Sequence, residues 1–414
     1  MRATGPILEQ LVVLAGIAAA AAWFGAAGAE ASDWPSLRGP NHNGISDEKG
    51  WLDAWPEGAK PRVLWKASVG KGHSAVSVSR GLAYTMGWAG GQDTLFCFDA
   101  ATGTVKWKAS YACGDRKQYS GPRATPTVDG DTVYTLSQRG HLRAWHAGAG
   151  DLRWHKDLPE SYNPDEDYGH AWSPLVQGNL LILSAGRKGL AIHKATGEFA
   201  WGNDGYRGTC ASAVPYDAGG RPGVVVACTD KETLDVVGVD AVTGAELWRY
   251  AGWPEKYGAF SASPIVRDGK VFITSGQEYR KCARLSIRGS KADKDWETRA
   301  LGSNTGQCVY LNGYVYGVDC SRKTLVCVNW NDGARVWEQK GFGAYGNLMA
   351  ADGRLLVQSN EGRLVIVQAD PAGYRELRRA DALVGETFTA PVLANGRIYC
   401  RDYEGNVVCL AGAR

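Results

Sequence analysis

Motifs that carry catalytic chemistry are scarce in this sequence. It contains no Gly-x-Ser-x-Gly segment and no Walker-type phosphate loop, which removes the usual sequence support for a serine hydrolase or a nucleoside triphosphatase. The seven histidines are scattered and none has the spacing of metal ligands, so no metal site is predicted. The formal net charge is only +3, which gives no electrostatic basis for a nucleic-acid partner.

Adjacent cysteines are also absent, and the ten cysteines include no CxxC pair. Cys97, Cys327 and Cys409 share one repeat position, which predicts a small buried slot in the third strand of a repeat. Two pairs are candidates for cross-strand disulfides, because a hairpin turn between them would place them opposite each other. These pairs are Cys210 with Cys228 and Cys400 with Cys409.

The chain contains many copies of a short sequence motif that ends on tryptophan, which we call the tryptophan phrase. Its clearest copies run from Asp99 to Trp107 and from Asp240 to Trp248, each with a Thr-Gly turn in the middle. The terminal tryptophans lie 41 to 48 residues apart, and the eighth position expected from this spacing falls near Leu377, where there is no tryptophan. These tryptophans are Trp65, Trp107, Trp154, Trp201, Trp248, Trp296 and Trp337. Such a fixed period is typical of folds that repeat one supersecondary unit.

Each repeat predicts four short strands joined by tight turns, and helical periodicity is hard to find after residue 31. The first turn is an Asp-Gly or Asn-Gly pair between β-branched runs, which tolerates the positive φ of a two-residue hairpin. The pairs are Asp129-Gly130, Asp268-Gly269, Asn312-Gly313, Asp352-Gly353 and Asn395-Gly396. Four strands in about 40–45 residues predict an all-β propeller.

The predicted propeller has eight four-stranded antiparallel blades. The last repeat supplies three strands, so residues 62–65 are expected to return as its fourth strand and close the ring. Seven blades is the alternative, because the repeat between Arg284 and Trp296 is degenerate.

The N-terminal region divides into two predicted parts. Residues 1–31 combine an apolar stretch from Leu11 to Phe24 with the small-x-small pattern at residues 29–31, which predicts a cleaved signal peptide. The mature protein is then periplasmic or secreted and keeps no membrane span; an uncleaved anchor is the alternative. Residues 32–61 are expected to pack on the propeller through Trp34, Trp51 and Trp55, and residues 62–414 to form it.

The segments before the first strands are expected to surround one mouth of the axial channel. Their side chains differ from repeat to repeat, unlike the tryptophan phrase. The candidate ligand-binding residues there are His73, Arg123, His170, Trp172, Asn304, Tyr345 and Glu386. A concave site with a few converging polar groups is the usual form of a ligand pocket. The alternative is that these residues only satisfy exposed strand starts.

The repeats resemble the PQQ-like, or quinoprotein-type, β-propeller family. The resemblance runs from residue 33 to the C-terminus and is carried by the Asp-Ala-x-Thr-Gly-x-x-x-Trp phrases, the Trp34–Gly44 opening and the Gly121–Asp131 stretch. It looks like the exported single-domain members, which have BamB-like relatives. In that family the tryptophan of each phrase packs between neighbouring blades, so the resemblance implies a structural role for the seven tryptophans.

Two functions are implied by this resemblance. BamB-type scaffolds are eight-bladed periplasmic propellers without catalysis; this chain matches their length but has no lipoprotein cysteine after the apolar stretch. PQQ-dependent alcohol dehydrogenases hold their quinone against a disulfide of adjacent cysteines and bind Ca²⁺. This chain has no adjacent cysteines and no long insertions, and none of its residues can be matched to that site.

We therefore expect an exported, non-enzymatic binding or scaffolding propeller without a cofactor. Its partner is an envelope protein or a small ligand, and the chain is expected to be a monomer. One alternative is a PQQ- and Ca²⁺-dependent alcohol or sugar dehydrogenase. Another is a glycan-binding propeller, suggested by the 16 tryptophans and 18 tyrosines.

Overall fold

The computed structural model describes residue 1 and residues 32–116, 118–163, 168–202, 204, 208–229, 233–254, 260–276 and 279–412. The predicted signal peptide lies outside these residues except for Met1. Strands dominate the described part, which otherwise contains two short 3₁₀ helices at Trp51–Ala54 and Glu160–Tyr162. No helix there is long and apolar enough to cross a membrane.

The strands of the first half of the chain follow two short N-terminal ones, β1 (Ile45–Ser46) and β2 (Val63–Ser68). Unit 1 comprises β3 (Ser77–Ser79), β4 (Leu82–Ala89), β5 (Gln92–Asp99) and β6 (Val105–Ala112). Unit 2 comprises β7 (Thr127–Asp129), β8 (Thr132–Leu136), β9 (His141–His146) and β10 (Leu152–Asp157). Unit 3 comprises β11 (Leu175–Gln177), β12 (Leu180–Leu183), β13 (Leu190–His193) and β14 (Phe199–Trp201). Unit 4 comprises β15 (Val214–Asp217), β16 (Pro222–Thr229), β17 (Thr233–Asp240) and β18 (Glu246–Pro254).

The second half repeats the same order. Unit 5 comprises β19 (Ile265–Arg267), β20 (Lys270–Ser275), β21 (Lys281–Arg288) and β22 (Lys291–Thr298). Unit 6 comprises β23 (Val309–Leu311), β24 (Tyr314–Asp319), β25 (Thr324–Asn329) and β26 (Arg335–Lys340). Unit 7 comprises β27 (Asn347–Ala351), β28 (Arg354–Gln358), β29 (Arg363–Gln368) and β30 (Glu376–Asp381). Unit 8 comprises β31 (Val392–Ala394), β32 (Arg397–Arg401), β33 (Asn406–Ala411) and the returning β2.

The all-β propeller of four-stranded antiparallel units, closed by an N-terminal strand, is confirmed. Strand β2 pairs antiparallel with β33 and places Trp65 opposite Cys409. Hydrogen bonding joins units 4 and 5 into one eight-stranded sheet through a parallel contact of Arg249 with Lys291. The described strands thus form seven hydrogen-bonded sheets but divide into eight four-stranded units, and the number of eight blades stays a prediction.

The first hairpins have the backbone that the Asp-Gly and Asn-Gly pairs predict. Both residues have positive φ at Asp268-Gly269, Asn312-Gly313, Asp352-Gly353 and Asn395-Gly396. Positive φ at both central positions defines a type I′ turn, whose twist matches the flanking strands. In unit 2 the prediction is wrong by one residue: Asp129 pairs with Thr132, so the loop consists of Gly130 and Asp131.

Six of the seven predicted docking tryptophans donate their indole N–H to a carbonyl oxygen in the next unit. The donor–acceptor distances are 2.8–3.2 Å. The pairs are Trp65 with Ala100, Trp107 with Ala147, Trp154 with Lys194, Trp201 with Ala241, Trp296 with Trp330 and Trp337 with Asp370. Trp248 differs, since it donates to the Tyr216 hydroxyl of its own unit. The degenerate fifth repeat has no Thr-Gly phrase whose carbonyl oxygen could accept a hydrogen bond from Trp248.

The glycine of each phrase explains why the phrase recurs. Gly197 has φ +77°, and a Cβ atom there would lie 2.7 Å from the ring of Trp154 in the preceding unit. Gly103, Gly150, Gly244 and Gly333 have the same relation to the preceding tryptophan. The turn therefore requires glycine both for its left-handed backbone and for the ring that covers it. Tryptophan and glycine of consecutive phrases thus interlock neighbouring units.

Nine of the ten cysteines are buried and Cys210 is half-buried, and they do not form the predicted bridges. Cys97, Cys327 and Cys409 are fully buried, as the shared slot predicts. In unit 8 Cys400 lies opposite Val408, and Cys409 lies opposite Tyr399. This offset of one residue sends the two thiols to opposite faces of the sheet.

The second predicted bridge is also wrong. Cys228 is a free thiol whose Sγ lies 2.8 Å from the carbonyl oxygen of Arg187. Its strand register places it opposite Asp235, and an isolated bridge pairs it with Gly208 instead of Cys210.

Candidate functional site

Residues 33–48, which we call the basal strap, cross the axial channel at one end. Trp34 exchanges two backbone hydrogen bonds of 2.8 Å with Val78 of unit 1, and the Pro35 carbonyl oxygen accepts one from Val128 of unit 2. On the far side Ile45 pairs in parallel with Ala350 of unit 7. These partners belong to the first strands of units 1, 2 and 7. The strap therefore contacts first strands on both sides of the ring.

Arg38 fixes the middle of the strap. Its guanidinium donates to the carbonyl oxygens of Ser263 and Cys308 at 3.1 Å and to Gln307 Oε1 at 3.3 Å. Glu48 Oε2 accepts the backbone N–H of Gly396 in unit 8 at 2.9 Å. Contacts with units on both sides of the ring make the strap a floor across the channel.

A cavity of about 200 Å³ lies above this floor. Every unit contributes a residue from just before its first strand, or from the start of that strand, which places the cavity on the channel axis. These residues are Ala75, Thr125, Ser173, Ser212, Ser261, Gln307, Asn347 and Thr389. The floor is formed by Trp34, Leu37, Arg38 and Gly44 of the strap.

Four of the seven candidate mouth residues line this cavity. They are His73, Arg123, Asn304 and Tyr345. They come from units 1, 2, 6 and 7, so the ring brings them together from distant parts of the sequence.

The other three candidates lie elsewhere. Trp172 is fully buried in the apolar cluster between units 2 and 3, and its indole donates to the carbonyl oxygen of Thr209. His170 is also fully buried, packs edge-on against Trp172 at 5.1 Å, and has its pKa lowered to about 4 by burial. Glu386 is exposed at the rim. Ala171 and Ser173, the neighbours of His170 and Trp172, line the cavity instead, because successive side chains of an extended segment alternate in direction.

An aromatic cluster lies at the mouth, on the side formed by units 7, 8, 1 and 2. The ring of His73 lies 4.8 Å from Phe388, 5.1 Å from Tyr403 and 5.7 Å from Tyr119. Tyr345 extends the cluster, with its ring 5.1 Å from Phe388. We call these five residues the mouth rings.

Three mouth rings were missed by the sequence reasoning. Phe388 lies in a predicted mouth segment but was passed over for its polar neighbour. Tyr403 follows the second strand of unit 8, which runs back toward the mouth, so its turn opens at the same face. Tyr119 stands one residue before a predicted mouth segment. A search for aromatics in both sets of loops would have found all three.

Arg123 holds the loop that carries Tyr119. Its guanidinium donates to the carbonyl oxygens of Tyr119 at 2.7 Å, Gly121 at 2.9 Å and Gln118 at 3.0 Å. A fourth bond of 2.8 Å reaches Gln138 Oε1. Tyr119 has φ +54° and is 38% exposed, so the loop presents an aromatic ring to solvent from a left-handed backbone.

A belt of side-chain to backbone hydrogen bonds joins the units around the cavity. The backbone N–H of Ala75 donates to Thr125 Oγ1, that of Thr125 to Ser173 Oγ, and that of Ser173 to Ser212 Oγ. Further round, Ser263 N–H donates to Gln307 Oε1, and Gln307 N–H donates to Asn347 Oδ1. These polar side chains were not predicted from the sequence. Their oxygens accept hydrogen bonds that join neighbouring units.

His73 is electrically neutral at physiological pH. Burial lowers the pKa of its imidazole well below the usual value, and the positive charges of Arg123 and Arg401 lower it further. Its Nδ1 atom is buried and has no hydrogen-bond partner. The cavity lining contains no aspartate or glutamate among the described residues, so its fixed charge is positive.

Comparison with known proteins gives consistent matches. The family model described as "Outer membrane protein assembly factor BamB" matches residues 115–339, more than half of the chain. Outer membrane protein assembly factor BamB of Yersinia pestis is 24% identical over 324 residues, which cover 73% of this chain and 77% of that protein.

Two solved structures share the fold. BamB from Moraxella catarrhalis has a TM-score of 0.62 at 17% identity, covering 85% of this chain and 98% of that one. Quinohemoprotein alcohol dehydrogenase from Comamonas testosteroni has a TM-score of 0.64 at 14% identity, covering 92% and 81%. At such identities the likeness concerns the fold alone. The resemblance to PQQ-like propellers with BamB-like relatives is confirmed, and by the extent of the family match this chain belongs to the family of the outer membrane protein assembly factor BamB.

Proposed function

We propose that this chain is an exported, non-enzymatic scaffold of the cell envelope that binds a protein partner at the mouth of its axial cavity. Family membership supports a protein-binding role, because the relative from Yersinia pestis is described as an assembly factor. The mouth rings are the observation that carries the proposal. They form a half-buried aromatic surface at the mouth of a cavity whose floor includes residues of the strap.

Exposed aromatic rings of this kind favour protein recognition. Tyrosine supplies a large, stiff contact surface with a polar tip, and it is enriched among the residues that dominate binding energy. Tyr119 is held in a left-handed backbone, which costs a non-glycine residue about 1 kcal/mol. Three hydrogen bonds from Arg123 to carbonyl oxygens of this loop maintain that conformation. Because the loop keeps Tyr119 in a backbone conformation that is unfavourable for tyrosine, its exposed ring favours a role in binding.

The quinone-dependent alternative fits these residues poorly. Ca²⁺ requires several oxygen ligands, usually with carboxylates among them. The described cavity lining offers no carboxylate. Cys210 is the one cysteine in this lining, so the lining lacks the cysteine pair that clamps a quinone in the dehydrogenases. Its tryptophan is Trp34 of the strap, on the floor.

Site-specific photocrosslinking tests the proposal. A photoreactive phenylalanine analogue is placed at Tyr119, which is 38% exposed, and as a control at Val336, which is 40% exposed on the outer strand of unit 6. After irradiation of envelope fractions, we expect a discrete protein adduct from the Tyr119 position and none from the Val336 position. The adduct is then identified by mass spectrometry and its binding measured with purified proteins.

Binding measurements with Tyr345→Ala decide the role of the mouth rings. The variant should weaken binding of the identified partner about tenfold or more, whereas Val336→Ala should leave it unchanged. Equal crosslinking from both positions, or a partner that binds Tyr345→Ala as well as the unaltered protein, would contradict the proposal. Dye-linked alcohol oxidation after addition of PQQ and Ca²⁺ would support the dehydrogenase instead.

A further inference from the structure

Three arginines at the cavity, of which Arg38 and Arg401 are buried and Arg123 is half-buried, have no acidic partner. Arg38 and Arg123 line the cavity, and Arg401 lies behind Gly72, the neighbour of His73. Among the described residues no aspartate or glutamate forms an ion pair with any of the three. Buried arginines elsewhere in this chain are paired: the Arg116 guanidinium lies 2.7 Å from Glu160, and that of Arg284 lies 2.8 Å from Asp295.

Neutral atoms satisfy most of the donors of these three side chains. Arg38 donates to three carbonyl oxygens and one amide oxygen, and Arg123 does the same. Arg401 donates to carbonyl oxygens and to the Thr85 hydroxyl. Carbonyl dipoles fulfil hydrogen bonds but leave the net charge in place. The side chains therefore keep their positive charge without a counter-ion.

The positive charge persists at physiological pH. Burial lowers the pKa of Arg38 and Arg123 to about 10 and that of Arg401 to about 9, values that still leave each guanidinium protonated at pH 7. A buried charge without a counter-ion is costly, because the interior screens it weakly. An anion that entered the cavity would recover part of that cost.

Two side-chain nitrogen atoms of cavity-lining residues are also unpartnered, and the one of Arg38 is a donor. Nε of Arg38 and Nδ1 of His73 are both buried and have no hydrogen-bond partner. The space could hold more than ten water molecules at roughly 10–15 Å³ each, which suffices for a ligand larger than an inorganic ion. Its entrance is aromatic, so a body attached to the anion would pass between apolar rings.

We propose that the axial cavity binds a carboxylate carried on an apolar or aromatic body. The carboxylate is either the chain terminus of the envelope partner or that of a free organic acid of the same chemistry. The first source rests on the proposed function, whereas the second does not. The rings of the mouth contact the body, and the arginine-rich interior receives the charge.

The charge distribution selects against other ligand classes. An ammonium group over the mouth rings would gain cation–π attraction, but it would face Arg38 and Arg123 with no carboxylate to balance it. A phosphate usually takes several charged donors at once, and nearly all donors of these arginines are already occupied. A carboxylate carries a single charge and needs fewer free donors, of which Arg38 Nε is one.

Isothermal titration of the unaltered protein with three ligands of equal shape provides the test. The probes are phenylacetate, its neutral isostere phenylacetamide and the cation 2-phenylethylammonium. We expect saturable binding of phenylacetate that weakens with added salt, about tenfold or more weaker binding of the amide, and weaker binding still of the cation. Binding of the amide or the cation as tight as that of phenylacetate would overturn the proposal.

Variants locate the binding in the cavity. Arg123→Gln should weaken phenylacetate binding about tenfold, and Tyr345→Ala should weaken phenylacetate and the amide alike. Arg288→Gln removes the same charge from an exposed hairpin of unit 5 and should have no effect. Because Arg123 also positions a loop, the isostere comparison on the unaltered protein decides the question if Arg123→Gln does not fold. Undiminished binding by a folded Arg123→Gln protein would place the ligand elsewhere and overturn the proposal.

A peptide pair separates the two sources of the carboxylate. A peptide ending in phenylalanine with a free C-terminus is compared with the same peptide amidated. Binding of the free peptide that is tighter than that of both the amidated peptide and phenylacetate supports a partner's chain terminus, and a free peptide that binds no more tightly than phenylacetate supports a free organic acid. Failure of all carboxylates to bind would end this proposal, while the crosslinking result at Tyr119 would still decide the proposed function separately.

Discussion

The indole N–H of Trp337 in unit 6 donates to the carbonyl oxygen of Asp370 in unit 7 at 2.8 Å. The same ring lies 5.9 Å from Tyr316 of its own unit and 6.1 Å from Tyr374 of the next. This relation shows how a residue that repeats along the sequence acts between repeats in the structure.

Truncation of Trp337 should therefore weaken the contact between units 6 and 7. Because Trp337 is half-buried, Trp337→Ala is expected to lower the free energy of unfolding by about 2–3 kcal/mol, below the full cost of a buried tryptophan. Trp337→Phe keeps a ring and loses the hydrogen bond, so it should cost about 1 kcal/mol. Urea denaturation of the three proteins measures both values. Equal stability of Trp337→Ala and the unaltered protein would exclude the docking role.

Substitution of a phrase glycine separates backbone strain from ring contact. Gly197→Ala must adopt φ +77° and also place Cβ 2.7 Å from Trp154, whereas Gly178→Ala must adopt φ +59° in open space. The backbone term is roughly 1 kcal/mol for each, and the clash should add about 1–3 kcal/mol at Gly197. Thermal unfolding should therefore rank Gly197→Ala well below Gly178→Ala. Similar melting temperatures would mean that the tryptophan moves away without cost.

The sequence predicts the propeller well because its determinants are local. The Asn312-Gly313 turn needs only its own two residues to form, and the distance from one tryptophan to the next fixes the length of a repeat. The basal strap could not be predicted in this way. Arg38 reaches Ser263 and Cys308, more than 200 positions away, and no periodicity links them.

The sequence predicts where the candidate site lies but not which side chains line it. The ring brings all first-strand starts to one mouth, so His73, Arg123, Asn304 and Tyr345 meet at the cavity. Which side chains of a segment face the axis depends on strand register, which a one-residue change reverses. Trp172 points between units for this reason.

Asn347 joins three units through one amide group. Its Oδ1 accepts the Gln307 N–H of unit 6 at 2.9 Å, and its Nδ2 donates to the carbonyl oxygen of Phe388, before unit 8, at 3.1 Å. Asn347→Asp keeps the acceptor but replaces the donor with a buried oxygen that faces a carbonyl. The loss is expected to be about 2 kcal/mol of unfolding free energy in urea at pH 7.

Asn329→Asp is the matched control for this belt position. Asn329 Oδ1 accepts the N–H of Asn331 at 2.8 Å within the tryptophan phrase, where Asp99 and Asp240 do the same in other units. A carboxylate serves that turn equally well, so this variant should be neutral within about 0.5 kcal/mol. An equal loss for both variants would show that the belt has no special role.

A buried carboxyl group should make stability fall as pH rises. Asp93 is fully buried beside the Cys113 thiol, and burial raises its pKa to about 7. The unfolded chain has an aspartate pKa near 3.8, so the folded state binds the proton more tightly between these values. The contribution of Asp93 is fully present below about pH 4, is lost as pH rises towards 7 and stays constant above it.

Asp93→Asn removes this titration and should stabilise the protein only where the carboxyl is ionised. The difference in unfolding free energy is expected to be near zero at pH 4 and to grow to a few kcal/mol at pH 8, about 1.4 kcal/mol for each unit by which the folded pKa exceeds the unfolded one. Asp381→Asn, with a side chain 88% exposed, should show no such trend. Urea titrations at several pH values measure both. A constant difference across this range would mean that the Asp93 carboxylate is stabilised within the fold, since only a matching pKa in both states makes stability independent of pH.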